Sequence, residues 1–467
     1  MPGGEVLRIG PFTGGLNLGS DITTIADTEL VELVNMELDI DGSLKSRPPI
    51  QLHYTEVLNE FGTDRLLIIG SAVFAGVSYL FGSNVSGTFR STNGTTWTLL
   101  QTTTECKTAI QYRGKVWFPA TPGSTSGGFN WDPVGGVTAI AALPRGSAAV
   151  IHKERMYLVP GPTATTNASR LRFSNAADLT TWDASNFIDV SPDDGTTLND
   201  VIVYADNLML FKNDSIFVLA YDLQPAEAIL REINSVIGVR LPHCITQFEN
   251  VVYIIHRDRV YEVVNYDFNI LNAKVPFVYD ATVDPGGART EEESVSLLGE
   301  RLIVRYYNKT YVFGLRTRTW GEWKKTVAGF PTWHNLGPLV RLPSGLQTTN
   351  QDEYYASYTF NTVVGKLYKI VDGLNASGDE GDLSTDTITC TITTKDFDMA
   401  DPVHFKRLFW WGADLTTGNA ITGTVSAIVL APSTTTWSQM TGAWSTQTQI
   451  WSFGAGAPSP IVDTITA

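Results

Sequence analysis

DVIVYADNLMLFKNDSIFVL, residues 200–219, sets two apolar runs on either side of a short polar break, FKND. Met209 and Phe217 lie eight residues apart across that break, the spacing of two short strands joined by a tight polar turn. The same eight-residue step separates Tyr253 from Tyr261 across HRD, and Ile303 from Tyr311 across RYYNK. Looser versions of the phrase pair Tyr79 with Phe89, Trp117 with Phe129, Tyr157 with Phe173, and Tyr355 with Tyr368. The first anchors return every 38 to 52 residues. That period suits a four-stranded antiparallel blade of roughly 40–50 residues. These windows are rich in Val, Ile, Thr and aromatics and lack apolar residues at i, i+3 and i+4, which argues against helices. The expectation is an all-β chain with a β-propeller over residues 65–371, of seven blades with six possible. Radial repetition of that kind leaves only short sheet edges.

The composition agrees. Charged residues make up 17 % of the 467 positions and glycine supplies 41, the profile of a sheet-rich, turn-rich protein. A net charge of −15 with no Lys/Arg block argues against a specific nucleic-acid partner. Cys106, Cys244 and Cys390 are odd in number and far apart, so they build neither a disulfide framework nor a zinc clip. A chain made and kept reduced in a cytoplasm is the simplest reading. MPGGEVLRIGPFTGG carries no apolar signal-peptide core, and no run approaches a membrane span. Residues 1–64 hold too few strong apolar anchors for a core of their own and read as an extended arm. After the acidic, Gly/Ser-rich stretch VDGLNASGDEGDLSTD (371–386) the texture changes. TITCTITTKDFDM, HFKRLFWWGADL and GTVSAIVL read as alternating strands of a small β-sandwich over 385–467. Trp437, Trp444 and Trp451 repeat every seven residues, but the Thr/Ser density around them favours strands over a helix.

Catalytic signals are sparse. A glycosidase needs two opposed carboxylates, one with a raised pKa. Asp193-Asp194, Glu291-Glu292-Glu293 and Asp379-Glu380 instead read as solvated loop acids. His53, His152, His243, His256, His334 and His404 never fall at metal-ligand spacing, and neither a GxSxG elbow nor a P-loop is present. No enzyme activity, cofactor or metal is expected. FRSTNGTTWTLL (89–100) approximates the structural Asp-box turns of sialidase-like propellers, with Thr92 in the expected Asp position and Asn93 beside the glycine.

NMELDIDGSLKSRPP (35–49) contains an Asp-x-Asp-Gly that invites a calcium reading. Counting from Asp39, Gly42 falls at position four rather than six and Ile50 at position twelve, so the ligand spacing fails. Asp41-Gly42 reads instead as a two-residue hairpin turn. The wider frame, GPFTGGLNLGSDITTIADTELVELVNMELDIDGSLKSRPP, resembles the N-terminal arm of propeller-containing tail proteins of tailed bacteriophages. Gly14, Gly15, Asn17, Asn35, Asp41, Gly42, Arg47 and Pro48 carry the match, and Pro49 stands where that pattern has glycine. RLRFSNAADLTTWDASNFIDV with the opening stretch, and KDFDMADPVHFKRLFWWGADL, are similar to later parts of the same family. The resemblance implies a minor tail protein or nozzle-type tube component, with a short helix in the arm ahead of the hairpin. It also implies other phage tail proteins as partners, a homo-oligomeric ring or cluster, assembly in the host bacterial cytoplasm and residence in the virion tail. The rival readings are a receptor- or glycan-binding tail module, with TWSQMTGAWSTQTQIWSF (436–453) as its suspect surface, and a glycan hydrolase.

Overall fold

The computed structural model describes residues 12–21, 24–40, 44–55, 66–220, 225–277, 293–307, 309–327, 330–333, 336–342, 353–358, 366–371, 390–394, 422–428 and 460–466. It divides into two compact units, Met1–Lys395 and Asp396–Ala467. Among the described residues every regular element is a strand apart from two three-residue turns of 3-10 helix, Pro192–Asp194 and Pro225–Glu227.

The first unit is a β-propeller. Five four-stranded sheets follow one another over 67–102, 110–139, 148–189, 198–234 and 245–270, each pairing its strands in sequence order. A further four-stranded sheet combines Leu336–Leu342, Glu353–Tyr358 and Lys366–Val371 with Ile50–Thr55 from the N-terminal arm. Between these lies an eight-stranded sheet whose antiparallel body is Glu293–Leu298, Arg301–Tyr306, Lys309–Gly314 and Thr319–Val327. First strands of neighbouring sheets touch from 110–139 through 148–189 to 198–234 and from 245–270 through 293–327 to 336–371. Shared apolar clusters join the other neighbours, and Leu336–Leu342 returns to meet Leu67–Phe74, so the series closes on itself. Apolar clusters fill the wedges between sheets. Phe81, Phe118, Phe129 and Trp131 join 67–102 to 110–139, while Leu66, Phe89, Trp97 and Tyr355 join 336–371 to 67–102.

The repeat read from the sequence is the middle pair of each sheet. Tyr79, Trp117, Tyr157, Met209, Tyr253, Ile303 and Tyr355 all lie on second strands. Phe89, Phe129, Phe173, Phe217, Tyr261, Tyr311 and Tyr368 all lie on third strands. Second strands are apolar on both faces because sheets pack against them from either side: Leu208, Met209, Leu210 and Phe211 are all fully buried. Outer strands such as Thr98–Thr102 and Ile229–Asn234 are largely exposed and carry no such signal.

Two expectations for the arm are corrected. The stretch expected to be a short helix is the strand Glu29–Val34. Its buried residues Leu30, Leu33 and Val34 have helical spacing, but a β-bulge between Leu30 and Glu32 shifts the alternation, so that Leu30 and Leu33 join one apolar cluster while Val34, next along the strand, turns to the other face. Hydrogen-bonded neighbours on both edges, Gly15–Leu16 and Thr391–Thr394, then decide for strand. The hairpin is present, with Met36–Leu38 paired to Leu44–Ser46, but Leu38 opposite Leu44 leaves a five-residue connection, 39–43, not a two-residue Asp41-Gly42 turn. Asp41 and Gly42 themselves lie outside the described residues.

In the second unit Thr422–Ile428 pairs antiparallel with Pro460–Thr466. The rest of the expected sandwich, including Trp437, Trp444 and Trp451, lies outside the described residues. The expected first strand of that sandwich, Thr391–Thr394, is instead an edge partner of Glu29–Val34 in the first unit.

Candidate functional site

The residues singled out in the arm meet the body at two places. At the first, Gly14 N donates to Thr28 O (2.9 Å) and Gly15 begins the two-residue strand beside Glu29 and Leu30. Gly15 has φ +67°, and a Cβ on it would stand 2.6 Å from Thr319 Cβ, so both backbone and space demand glycine. Asn17, buried, donates from Nδ2 to Glu29 Oε2 (2.9 Å) and accepts Gly19 N at Oδ1 (3.1 Å). Glu29 also accepts Ala26 N (3.0 Å) and Lys274 Nζ (2.6 Å), tying the arm to the loop after the 245–270 sheet. Burial pushes the Glu29 carboxyl up, but Lys274, Asn17 and the Ala26 amide together hold it below the usual carboxylate range.

The second place centres on Asn35, 1 % exposed and in the left-handed region at φ 58°, which asparagine tolerates. Its side-chain amide substitutes for a strand residue: Nδ2 donates to Lys324 O (2.6 Å) while Oδ1 accepts Lys324 N (2.7 Å). Its backbone N–H donates to Glu322 O (2.8 Å), continuing a ladder that begins with Val34 opposite Glu322. Arg47 Nε donates to Asn35 Oδ1 (2.9 Å), Arg47 N to Asn35 O (3.1 Å), and Arg47 Nη1 to Pro48 O (3.1 Å). The Arg47 guanidinium, also 1 % exposed, lies 5.7 Å from the Trp323 ring centroid. Cys390 Sγ donates to Asn35 O at 3.5 Å. One asparagine therefore joins the arm strand, the hairpin exit, the body sheet and the segment leading to the second unit. Beside it Arg301 Nε donates to Glu37 Oε2 (2.7 Å), fixing the hairpin on the same sheet, over an open cleft of about 560 Å³ lined in part by Ile40 and Trp320.

The NGTTW turn is built as an Asp-box is, but on a different residue from the one its spacing suggested. Asn93, not Thr92, ties it: Oδ1 accepts Thr95 N (3.0 Å) and Thr96 N (2.8 Å), and Trp97 Nε1 donates to Gly94 O (3.1 Å). A second copy was missed in the sequence. In DLTTW, Asp178 Oδ1 accepts Thr180 N (2.9 Å), Oδ2 accepts Thr181 Oγ1 (2.6 Å), and Trp182 Nε1 donates to Leu179 O (2.9 Å). Both turns connect a third strand to a fourth, and the shared TTW at the same offset was the signal. The first turn also clasps the closing strand: His53 Nε2 donates to Asn93 O (2.6 Å), and a Cβ on Gly94 would stand 2.8 Å from the His53 ring.

The acids considered for catalysis are dispersed. Asp194 is not a free loop acid. It accepts Lys212 Nζ (2.6 Å), whose ammonium is fully buried and also donates to Ser169 Oγ, Val190 O and Ser191 O. Glu293 begins an inner strand, and Glu291, Glu292, Asp379 and Glu380 lie outside the described residues. Burial pushes the Asp200 carboxyl up to about 7, against hydrogen bonds from the Val201 and His243 backbone amides, and raises the Glu322 carboxyl as well. Burial pushes the Cys106 thiol up to about 12 and Cys244 well above its usual value, so neither is a nucleophile at neutral pH. His152 and His256 are held below the usual imidazole range chiefly by burial. Among the described residues no three His, Cys, Asp or Glu side chains gather as a metal site, and no helix is long and apolar enough to cross a membrane.

No protein-family model matches the chain, and no curated protein does. Its likenesses to solved structures are to propellers at low identity. The Neurospora crassa Pan2 WD40 domain is 8 % identical, with a TM-score of 0.45 over 71 % of this chain and 98 % of its own. YCF48 from Cyanidioschyzon merolae is 10 % identical, with a TM-score of 0.41 over 69 % of this chain and 99 % of its own. BamB from Moraxella catarrhalis is 12 % identical, with a TM-score of 0.37 over 72 % of this chain and 96 % of its own. These likenesses concern fold alone.

Proposed function

We propose that the chain is a non-enzymatic structural protein of a bacteriophage tail, docking with other tail proteins at the distal tail or tube. The observation that carries the reading is the convergence of its arm motif. Of the residues drawn from the pattern that resembles tail proteins, Gly15, Asn35 and Arg47 meet the body at Thr319, at Glu322 and Lys324, and at Trp323, while Gly14, Asn17 and Pro48 brace the arm from within. A protein whose distinctive residues are spent on fastening presents a preformed surface, and preformed surfaces lose little entropy on docking. In this reading the 293–327 strands count as a seventh blade, and the pairing of Ile50–Thr55 with Lys366–Val371 supports a ring closed by the arm. In this reading a small β-sandwich completes the C-terminal unit, and copies of the chain gather as a homo-oligomeric ring or cluster in the virion tail.

The test is particle localisation. Antibody raised against the purified chain, gold-labelled, is applied to particles from the phage whose genome encodes it. The expected result is labelling confined to the tail, with the chain present by mass spectrometry at a fixed copy number per particle. Absence of the chain from purified particles overturns the proposal.

A further inference from the structure

Strand Glu29–Val34 has different partners on its two edges. One edge holds Gly15–Leu16 and, through Val34 and Asn35, the body strand Thr319–Val327. The other edge holds Thr391–Thr394, the last described strand of the first unit before the chain enters Asp396–Ala467. Among the described residues the ladder of Thr391–Thr394 runs only to Glu29–Val34. Thr393 Oγ1 donates to Glu32 Oε2 (2.8 Å), and Cys390 Sγ reaches Asn35 O. Among the described residues the strand ladder of the segment leading to the second unit is thus made with the arm.

We propose that the arm strand is a conformational relay: seating of the N-terminal arm and anchoring of the 390–394 segment are one cooperative event. A perturbation on either edge of Glu29–Val34 then loosens the opposite edge. Adjacent strands share hydrogen bonds and one side-chain face, so an opening that frees the middle strand frees both neighbours, whereas fraying of an outer strand alone does not. Asn35 is the hinge of this relay, since the body, the hairpin exit and Cys390 all bond to it. The inference does not depend on the tail-protein reading.

The test is reciprocal hydrogen exchange on the full chain. Asn17→Ala removes a side chain on the Gly15–Leu16 edge, where it bonds Glu29 and Gly19. Thr393→Ala removes one hydroxyl contact on the opposite edge. Both changes are small enough to leave the propeller folded, which unchanged protection of Leu208–Phe211 verifies. The expected result is that Asn17→Ala speeds exchange at 391–394 at least about fivefold, and that Thr393→Ala speeds exchange at 15–16 and 29–34 by a similar factor. Acceleration confined to the mutated edge, with the opposite edge within about twofold of the parent chain, overturns the relay.

Discussion

Asn35 shows how much one side chain can carry when its amide replaces a piece of backbone. Both halves of the amide are used on Lys324, so neither a carboxylate nor an apolar group substitutes for it. Asn35→Asp sets an acceptor against the Lys324 carbonyl, and Asn35→Gly keeps the positive φ while deleting the bonds. Each is expected to lower stability by about 2–3 kcal/mol in urea unfolding, the cost of leaving buried partners unsatisfied; an unchanged midpoint for Asn35→Gly contradicts the assignment. Asp200 gives a pH signature of opposite kind. Its folded pKa lies near 7 and its unfolded value near 3.8, so between those limits the folded state binds more protons. Stability attributable to Asp200 therefore falls as pH rises from about 4 to about 7 and is level above that. Asp200→Asn is expected to flatten that slope; melting curves across the range that fall equally in both proteins contradict it. Glu29, whose folded pKa is depressed, works in the other direction and loses its contribution as pH falls through that pKa.

At the scale of elements, sequence periodicity was most legible where burial is two-sided. The second and third strands of each sheet sit between neighbours, so aromatic and β-branched residues recur there and the repeat is visible. Ile110–Tyr112 and Phe187–Asp189, a first and a fourth strand, are three residues each with none buried, and could not have been placed by pattern. The helix that the resemblance implied for the arm is a strand, and a bulge at Val31 gives that strand an apolar spacing that pattern alone could not have told from a helix. Lys274 and Lys324, which hold the arm through an ammonium and a main chain, left no local signal, since their partners lie 245 and 289 residues away. The box turns were half legible, because the TTW pair was present but the tying residue was assigned one position early. Asn93→Ala and Asp178→Ala are each expected to lower stability by about 1–2 kcal/mol, while Asn93→Asp and Asp178→Asn retain an acceptor and cost little. Equal losses for alanine and for the retained acceptor show that the oxygen does not tie the turn.

At the scale of the molecule, the propeller is closed by residues that come before it in the chain. Ile50–Thr55 pairs with Lys366–Val371, so the two ends of the ring are joined by hydrogen bonds within one sheet, and the preceding arm wraps onto the 293–327 strands. The stretch 1–64 reads from composition as too poor in apolar anchors to fold alone, and its described strands lie on the body: Leu30, Leu33 and Ile50 belong to clusters that body residues complete. The central claim is that this arm is part of the fold and not an appendage. The direct measurement compares urea unfolding and gel-filtration behaviour of the full chain with a chain beginning at Glu56. Loss of the closing strand exposes the Lys366–Val371 edge and the apolar surface under the arm, so the shortened chain is expected to unfold at a clearly lower urea concentration and to self-associate. A shortened chain with the parent's midpoint and the parent's elution volume contradicts the account.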